Sequence, residues 1–152
     1  MAGLTYSMAS GRCRRFAELP SEVQSIVADA RRATLGTLDS RGRPHLVPIS
    51  FALRNGEIVT AIDHKPKSTT SLGRVANLTR DNNVTVLIDR YDEQWIRLGW
   101  VMVRGLARMD APGSATGALS ARYPQYRSFP PKGDVIAIAP VSITWWTWND
   151  PG

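Results

Sequence analysis

The stretch that decides the fold is ATLGTLDSRGRPHLVPI, residues 33–49. Residues 34–38 alternate with a period of two, which is typical of a β-strand. The run stops at residues 39–42, Asp-Ser-Arg-Gly, whose residue types favour a tight turn. A second strand is predicted over residues 44–53. This part of the chain therefore predicts a β-hairpin.

The chain continues the hairpin into a third strand. Asn55-Gly56 follows the second strand, and an Asn-Gly pair tolerates the positive φ angles of a type I′ turn. Apolar residues return from Ile58 to Ile62. Three strands joined by tight turns predict an antiparallel meander.

A helix is predicted before the hairpin. Ser21 is placed as its N-cap, with Gln24 three residues later able to complete a capping box. The apolar residues Val23, Ile26, Val27 and Ala30 then recur at helical spacing, so we expect the helix to end near Arg32.

The second half of the chain predicts more strands with helices between them. About six strands, three helices and no βαβ alternation favour a curled antiparallel sheet or barrel. Gly105 is expected at a bulge or a close approach of two backbones, and Pro140 interrupts the last strand. The predicted elements are a helix from Leu72 to about Asp81, a strand from Val84 to Asp89, a strand from Leu98 to Met109, a helix from Ala111 to Tyr123, a loop over residues 128–133 and a strand from Val135 to Trp148.

Length and composition indicate one domain. The chain has 152 residues, of which 43% are hydrophobic, enough for a single core. We expect a flexible N-terminal arm over residues 1–18, carrying the single cysteine, Cys13, as a free thiol, and one domain over residues 19–152. With no long apolar run and no secretory signal, we expect a cytoplasmic protein that does not enter the membrane.

Charge and residue counts exclude several kinds of site. Nineteen Lys and Arg against thirteen Asp and Glu leave a net charge of +6, which attracts anionic ligands. The basic residues are scattered, so a nucleic-acid partner is not expected. One cysteine and two histidines, His45 and His64, predict neither a nucleophilic triad nor a metal site.

One segment is suited to a phosphate. Residues 64–74 place three cations and four hydroxyls at the start of a helix, where free N–H groups and a partial positive charge attract anions. Arg74, about one turn into the helix, offers a planar pair of donors. Composition leaves a second interpretation open, a solvated basic loop with a hydroxyl N-cap.

Tryptophans are concentrated in the last strand. Strand geometry places Trp146 and Trp148 on one face, and Trp145 and Thr147 on the other. Two interpretations remain open, since the indoles are buried either by the same chain or by a second subunit.

The order of these segments resembles the pyridoxamine 5′-phosphate oxidase-like family, and most closely its actinobacterial branch of F420-dependent enzymes. The similarity extends from about Pro20 to Trp148. It is carried by residues 33–49, by Asp-His-Lys-Pro-Lys at residues 63–67, by residues 76–89 and by Asp-Arg-Tyr-Asp-Glu-Gln-Trp at residues 89–95.

The resemblance implies a mainly β fold with inserted helices, the antiparallel split β-barrel of FMN-binding proteins. It also implies a homodimer with two coenzymes in grooves at the subunit interface. The coenzyme-binding residues that it implies are Lys65, Lys67, Ser68, Thr69 and Arg74 for the phosphate, Val47, Pro48, Ile49, Ser50, Ile62 and Asp63 beside the ring, and Trp95 from the other subunit. The family often has arginine where this chain has Ser68 or Gly73, and proline at Asn82, which implies a weaker grip on the phosphate.

The function that the resemblance implies is hydride transfer from reduced coenzyme F420 to a small unsaturated or quinone-like substrate. The coenzyme supplies the hydride, so no catalytic residue is assigned; His45, Tyr91 or solvent could each deliver the proton. Two alternatives are an FMN-dependent oxidase of the same fold and a non-catalytic F420-binding protein.

Overall fold

A computed structural model describes residues 7–62 and 70–148, with side chains of residues 70–72 left undescribed. In these parts, eight strands form one sheet. The strands are β1 (Ala9–Cys13), β2 (Ala33–Leu38), β3 (Pro44–Ile49), β4 (Ala52–Arg54), β5 (Glu57–Ala61), β6 (Asn83–Arg90), β7 (Gly99–Asp110) and β8 (Val135–Thr147). The helices are α1 (Ser21–Asp29), α2 (Thr70–Arg80), α3 (Thr116–Arg122) and α4 (Gln125–Ser128), with short 3₁₀ turns at Phe16–Glu18 and Trp95–Arg97.

The sheet is antiparallel throughout, in the order β3-β2-β6-β7-β8-β5-β4. β8 is its longest strand: it pairs with β7 on one side, and on the other side with β5 in its first half and β1 in its second half. Branched aliphatic side chains from α1, β2, β6, β7 and β8 share one buried core. The predicted curled antiparallel sheet is confirmed.

The two predicted turns and hairpins are present, but the predicted meander of three neighbouring strands is wrong, since the hairpins lie at opposite ends of the strand order. Asp39 accepts hydrogen bonds from the N–H groups of Arg41 and Arg43, both at 2.9 Å, and Asn55 has a positive φ of 53°. The predicted second strand is broken at Ser50, because β3 pairs with β2 whereas β4 pairs with β5. The chain crosses here from one end of the strand order to the other.

The predicted arm over residues 1–18 differs from the structure, because β1 belongs to the sheet. Gly11 lies beneath Trp145, whose ring is 2.7 Å from where a Cβ on Gly11 would stand. Phe16 and Leu19 are 7% and 4% exposed and belong to the core. Pairing with β8 satisfies the β1 backbone groups on one side of the strand, and a polar sequence alone does not reveal this pairing.

Helix α1 has the predicted buried face but different ends. Gln24 does not form the capping box: its Nε2 donates to the carbonyl oxygen of Leu19 at 2.8 Å. The helix ends at Asp29, before the predicted Arg32. Its last carbonyl groups accept hydrogen bonds from Arg122, including one of 2.7 Å at Val27, so a distant part of the chain caps this helix.

Two features of the second half depend on glycine. Gly105 lies at a register shift between β7 and β8, where Val141 has no partner in β7, as the predicted bulge requires. The predicted helix over residues 111–123 is shortened to α3, because a turn with Gly113 at a φ of 77° precedes it. Helix α4, which was not predicted, ends at Ser128, where the predicted loop begins. No helix in the described residues is both long and apolar enough to cross a bilayer.

Candidate functional site

Strand β3 is an edge of the sheet. It pairs with β2 on one side, and in the described parts of the chain no strand pairs with its other side. Alternate backbone N–H and C=O groups therefore point outward and are free to bind a ligand. Ile49 is buried, Val47 is half-buried and Pro48 is exposed, so the strand offers apolar contacts beside these polar groups.

Five of the predicted ring-binding residues come together at one end of β3. Val47, Pro48, Ile49 and Ser50 follow one another along the chain. β4 begins at Ala52 and β5 ends at Ala61; since the two strands are antiparallel, Ser50 and Ile62 lie at the same end of the pair. The N–H of Ile62 donates to the carbonyl oxygen of Asp134 at 2.9 Å, which holds this end against the segment before β8.

Helix α2 directs Arg74 toward the same end. Asn77 Nδ2 donates to Thr37 Oγ1 at 3.0 Å, and both residues are buried. Arg80 Nη1 donates to the carbonyl oxygen of Leu38 at 3.4 Å. The start of α2 therefore points away from Leu38, toward the end of β2 that pairs with Ile49. Arg74 lies one turn into the helix, as predicted, and is half-buried.

The rest of the predicted coenzyme site, one residue beside the ring and four at the phosphate, lies outside the described residues. Asp63, Lys65, Lys67, Ser68 and Thr69 belong to this part of the chain. Residues 63–69 join Ile62, which lies at the same end as Ser50, to Thr70, where α2 begins. The arrangement of the two lysines and the hydroxyls remains a prediction.

Trp95 is remote from β3 in the same chain. It is 54% exposed and lies in the connection between β6 and β7, while β2 stands between β3 and β6. Its ring meets Trp148 edge-on at 5.5 Å between centroids, and Trp148 meets Trp146 at 6.1 Å. Trp145 packs instead against the core, so the predicted alternation of the indoles is confirmed.

His45 has a buried nitrogen near the other end of β3 from Ile49 and Ser50. It pairs with Thr37 across β2 and β3. Its Nδ1 is shielded from solvent and has no hydrogen-bond partner among the described residues. The imidazole is therefore able to bind a polar group that arrives at this edge.

The structure also reveals residues near Ser50 that the sequence analysis did not connect with it. A cavity of about 730 Å³ is lined by Ser50, Arg31, Arg122, Tyr123, Pro124, Gln125 and Tyr126. Tyr123 accepts the N–H of Phe51 and donates to the carbonyl oxygen of Arg31, both at 3.0 Å. Contacts between residues so distant in sequence leave no local pattern.

The outer face of the sheet carries apolar side chains. Leu46 is 66% exposed on β3, and Leu87 is 36% exposed on β6. Leu87 pairs with Met102 of β7 and with Thr34 of β2. The strand register places Trp146 and Trp148 on the same face as these side chains.

Metal-binding groups do not gather in the described residues, where no three His, Cys, Asp or Glu side chains lie close enough to share an ion. Cys13 is a half-buried free thiol, and burial raises its pKa. In the described residues, the candidate coenzyme site at the end of β3 consists of backbone groups and apolar side chains, with Arg74 on the neighbouring helix α2.

Comparison with known proteins identifies the fold. The family model described as pyridoxamine 5′-phosphate oxidase matches residues 19–147. The chain belongs to this family. The pyridoxamine 5′-phosphate oxidase family assignment agrees with the curled antiparallel sheet and with the predicted split barrel. No curated protein matches the chain.

Solved structures share this family's fold with the chain. A conserved hypothetical protein from Mycobacterium tuberculosis is 23% identical, with 85% of this chain and 84% of that chain covered and a TM-score of 0.67. A FAD-binding protein from Mesorhizobium loti is 14% identical over 91% and 96%, with a TM-score of 0.62. A heme-binding protein from Mycobacterium smegmatis is 17% identical over 83% and 52%, with a TM-score of 0.64.

Proposed function

We propose that this protein is an oxidoreductase that binds coenzyme F420 at the β3 edge and transfers a hydride from the reduced coenzyme to a small unsaturated or quinone-like substrate. The observation that carries the proposal is the convergence of the free β3 edge, Ser50, Ile62 and Arg74 at one end of the sheet. The coenzyme would supply the hydride, and the protein its orientation.

The residues present fit a flavin-like ring and a phosphate. Outward backbone groups of β3 would hydrogen-bond the polar edge of the ring, while Val47, Pro48 and Ile49 contact its apolar surface. Arg74 and the preceding Lys65 and Lys67 would bind the phosphate at the start of α2. A net charge of +6 favours an anionic coenzyme.

The proposal includes a homodimer. The apolar outer face of the sheet suits burial against a second copy. The exposed position of Trp95, separated from β3 of its own chain, suits a contact with the coenzyme of the other subunit. Each coenzyme would then lie between two protomers.

Two alternatives use the same site. An FMN-dependent oxidase is favoured by the likeness in fold to a FAD-binding protein. A non-catalytic coenzyme-binding protein is favoured by the likeness in fold to a heme-binding protein, because that protein is described by the cofactor that it binds.

A fluorescence titration with F420, and separately with FMN, tests the proposal on the wild type, Lys67→Ala, Arg74→Ala and Arg41→Ala. Loss of a charged hydrogen bond to phosphate weakens binding by about tenfold or more. We expect F420 to bind more tightly than FMN, with both site variants weakened. Arg41→Ala, in the exposed turn between β2 and β3, is the control and is expected to bind like the wild type.

The outcomes separate the alternatives. A preference for FMN would move the protein to the oxidase hypothesis. F420 binding without turnover across a panel of enones and quinones would favour a binding protein. If neither coenzyme binds, the coenzyme site is refuted.

A further inference from the structure

A second concave surface lies where α1, β4 and α3 meet. Small side chains at Ala28, Ala118 and Ala121 fail to fill the space between the two helices, and a groove of about 790 Å³ remains. Its apolar wall includes Leu19 and Val27, both members of the core. The groove is thus wide enough for a small molecule and has a largely apolar lining.

Most uncharged polar side chains in this groove are already engaged in hydrogen bonds of their own. Gln24 donates to the carbonyl oxygen of Leu19 at 2.8 Å, and Ser25 Oγ donates to the carbonyl oxygen of Ser21 at 3.2 Å. The charged groups with donors to spare are the guanidinium groups of Arg31 and Arg122.

Arg122 is held in one position. Its Nη2 donates to the carbonyl oxygens of Val27, at 2.7 Å, and of Ala30, and its guanidinium lies 4.5 Å from the centre of the Phe51 ring. Its Nε is shielded from solvent and has no hydrogen-bond partner in the described residues. A buried donor without a partner is costly, and an acceptor at this point would satisfy it.

Arg31 adds a second cation at the same place. Its Nη1 donates to the carbonyl oxygen of Arg122 at 3.0 Å, which leaves most of its five N–H donors unused. Both arginines line the groove and also the neighbouring cavity beside Ser50. Among the described residues, no acidic side chain lines either space, and none forms an ion pair with either arginine.

We propose that this groove binds an amphipathic carboxylate, a molecule with an aliphatic body and one carboxylate group. The body would lie along the small side chains between α1 and α3. The carboxylate would accept hydrogen bonds from Arg31 and from the terminal N–H groups of Arg122 that its bonds to Val27 and Ala30 leave unused, at the end of the groove. The groove adjoins the cavity beside Ser50, with which it shares Arg31 and Arg122, but its body lies between α1 and α3 and the proposal does not depend on the coenzyme.

The test uses the full-length, coenzyme-free protein and a dansyl-labelled medium-chain fatty acid, with the matching labelled alcohol as the neutral probe. We expect the acid to bind about tenfold more tightly than the alcohol, the scale of a charged hydrogen bond. Arg31→Gln should remove this preference. Arg32→Gln, which removes the same charge one residue away and outside the groove, should keep it.

A second pair of variants tests the location without altering charge near the carboxylate. Ala28→Phe fills the groove and should weaken both probes, whereas Glu22→Phe, at an exposed α1 position outside the groove, should not. Circular dichroism of each variant verifies that it is folded.

The proposal is overturned if acid and alcohol bind equally, if Arg32→Gln acts like Arg31→Gln, or if Ala28→Phe leaves binding unchanged. F420 and FMN titrations are repeated with Ala28→Phe, since Ala28 lines the groove but not the cavity beside Ser50, and are expected to match the wild type. Competition between the fatty acid and either coenzyme would assign the groove to the coenzyme site instead, and would also refute a separate site.

Discussion

At the scale of the residue, the pair Glu57–Arg108 links β5 to β7. Arg108 donates to both Glu57 oxygens, at 2.6 and 2.8 Å, and this hydrogen bonding holds the pKa of Glu57 below its ordinary value of 4.5. Because the pKa is lower in the folded chain, the stabilisation is complete above the unfolded value and is lost as pH falls through the folded value. We therefore expect the free energy of unfolding to decrease below about pH 5.

Glu57→Gln tests this residue by urea unfolding over a pH series. At neutral pH the loss should be about 1 kcal/mol or less, since Arg108 is half exposed. In acid the variant should lose less stability than the wild type. Glu93→Gln, at an exposed position between β6 and β7, is the control; an unchanged pH profile in Glu57→Gln would contradict the prediction.

At the scale of the element, the bulge between β7 and β8 requires glycine at residue 105. A Cβ there would stand 2.5 Å from the carbonyl oxygen of Ala139, so one strand would have to move. We expect Gly105→Ala to destabilise the protein by about 1–3 kcal/mol, as overpacking does. Urea unfolding measures the change.

Gly117→Ala is the matched control for that element. Gly117 lies inside α3, and a Cβ there meets no atom within 4 Å. Alanine is the better helix former, so this variant should be more stable by about 0.5–1 kcal/mol. Replacing glycine by alanine is thus expected to lower the stability at residue 105 and to raise it at residue 117. A Gly105→Ala variant as stable as the wild type would show that the bulge tolerates a side chain.

At the scale of the whole molecule, the proposed homodimer buries the outer face of the sheet. Leu87 on that face and Leu53 on β4 are 36% and 37% exposed. A lysine at either position would therefore be exposed to solvent to a similar extent in the monomer. We expect Leu87→Lys to shift the protein from dimer to monomer, because a charge in an apolar interface costs several kcal/mol, whereas Leu53→Lys should leave it dimeric. Light scattering after size exclusion measures the mass, and a monomeric wild type would refute the dimer.

The local elements were predictable because their causes lie in neighbouring residues. The turn at Asn55-Gly56 needs positive φ angles, which glycine and asparagine accept most readily. The bulge at Gly105 and the buried face of α1 follow from the same kind of short-range pattern. The order of the segments was sufficient to indicate the family, which the match over residues 19–147 confirms.

Other features depend on contacts between distant residues. The strand β1 is polar, and only its pairing with β8 makes it part of the sheet. The end of α1 depends on Arg122, more than ninety residues away. The cavity beside Ser50 arises from the same long-range packing, so no window of sequence contains its signal.

The sequence by itself determined the period of each strand, the turns, the apolar face of α1 and the family, since each rests on the chemistry of adjacent side chains and on their order. The tertiary structure alone decided that Ser50 and Ile62 lie at one end of β3, that α2 runs along β2 with its start toward that end, and that Arg31 and Arg122 share a groove. Strand pairing and helix packing bring together groups far apart along the chain, and local residue patterns do not encode which of them become neighbours.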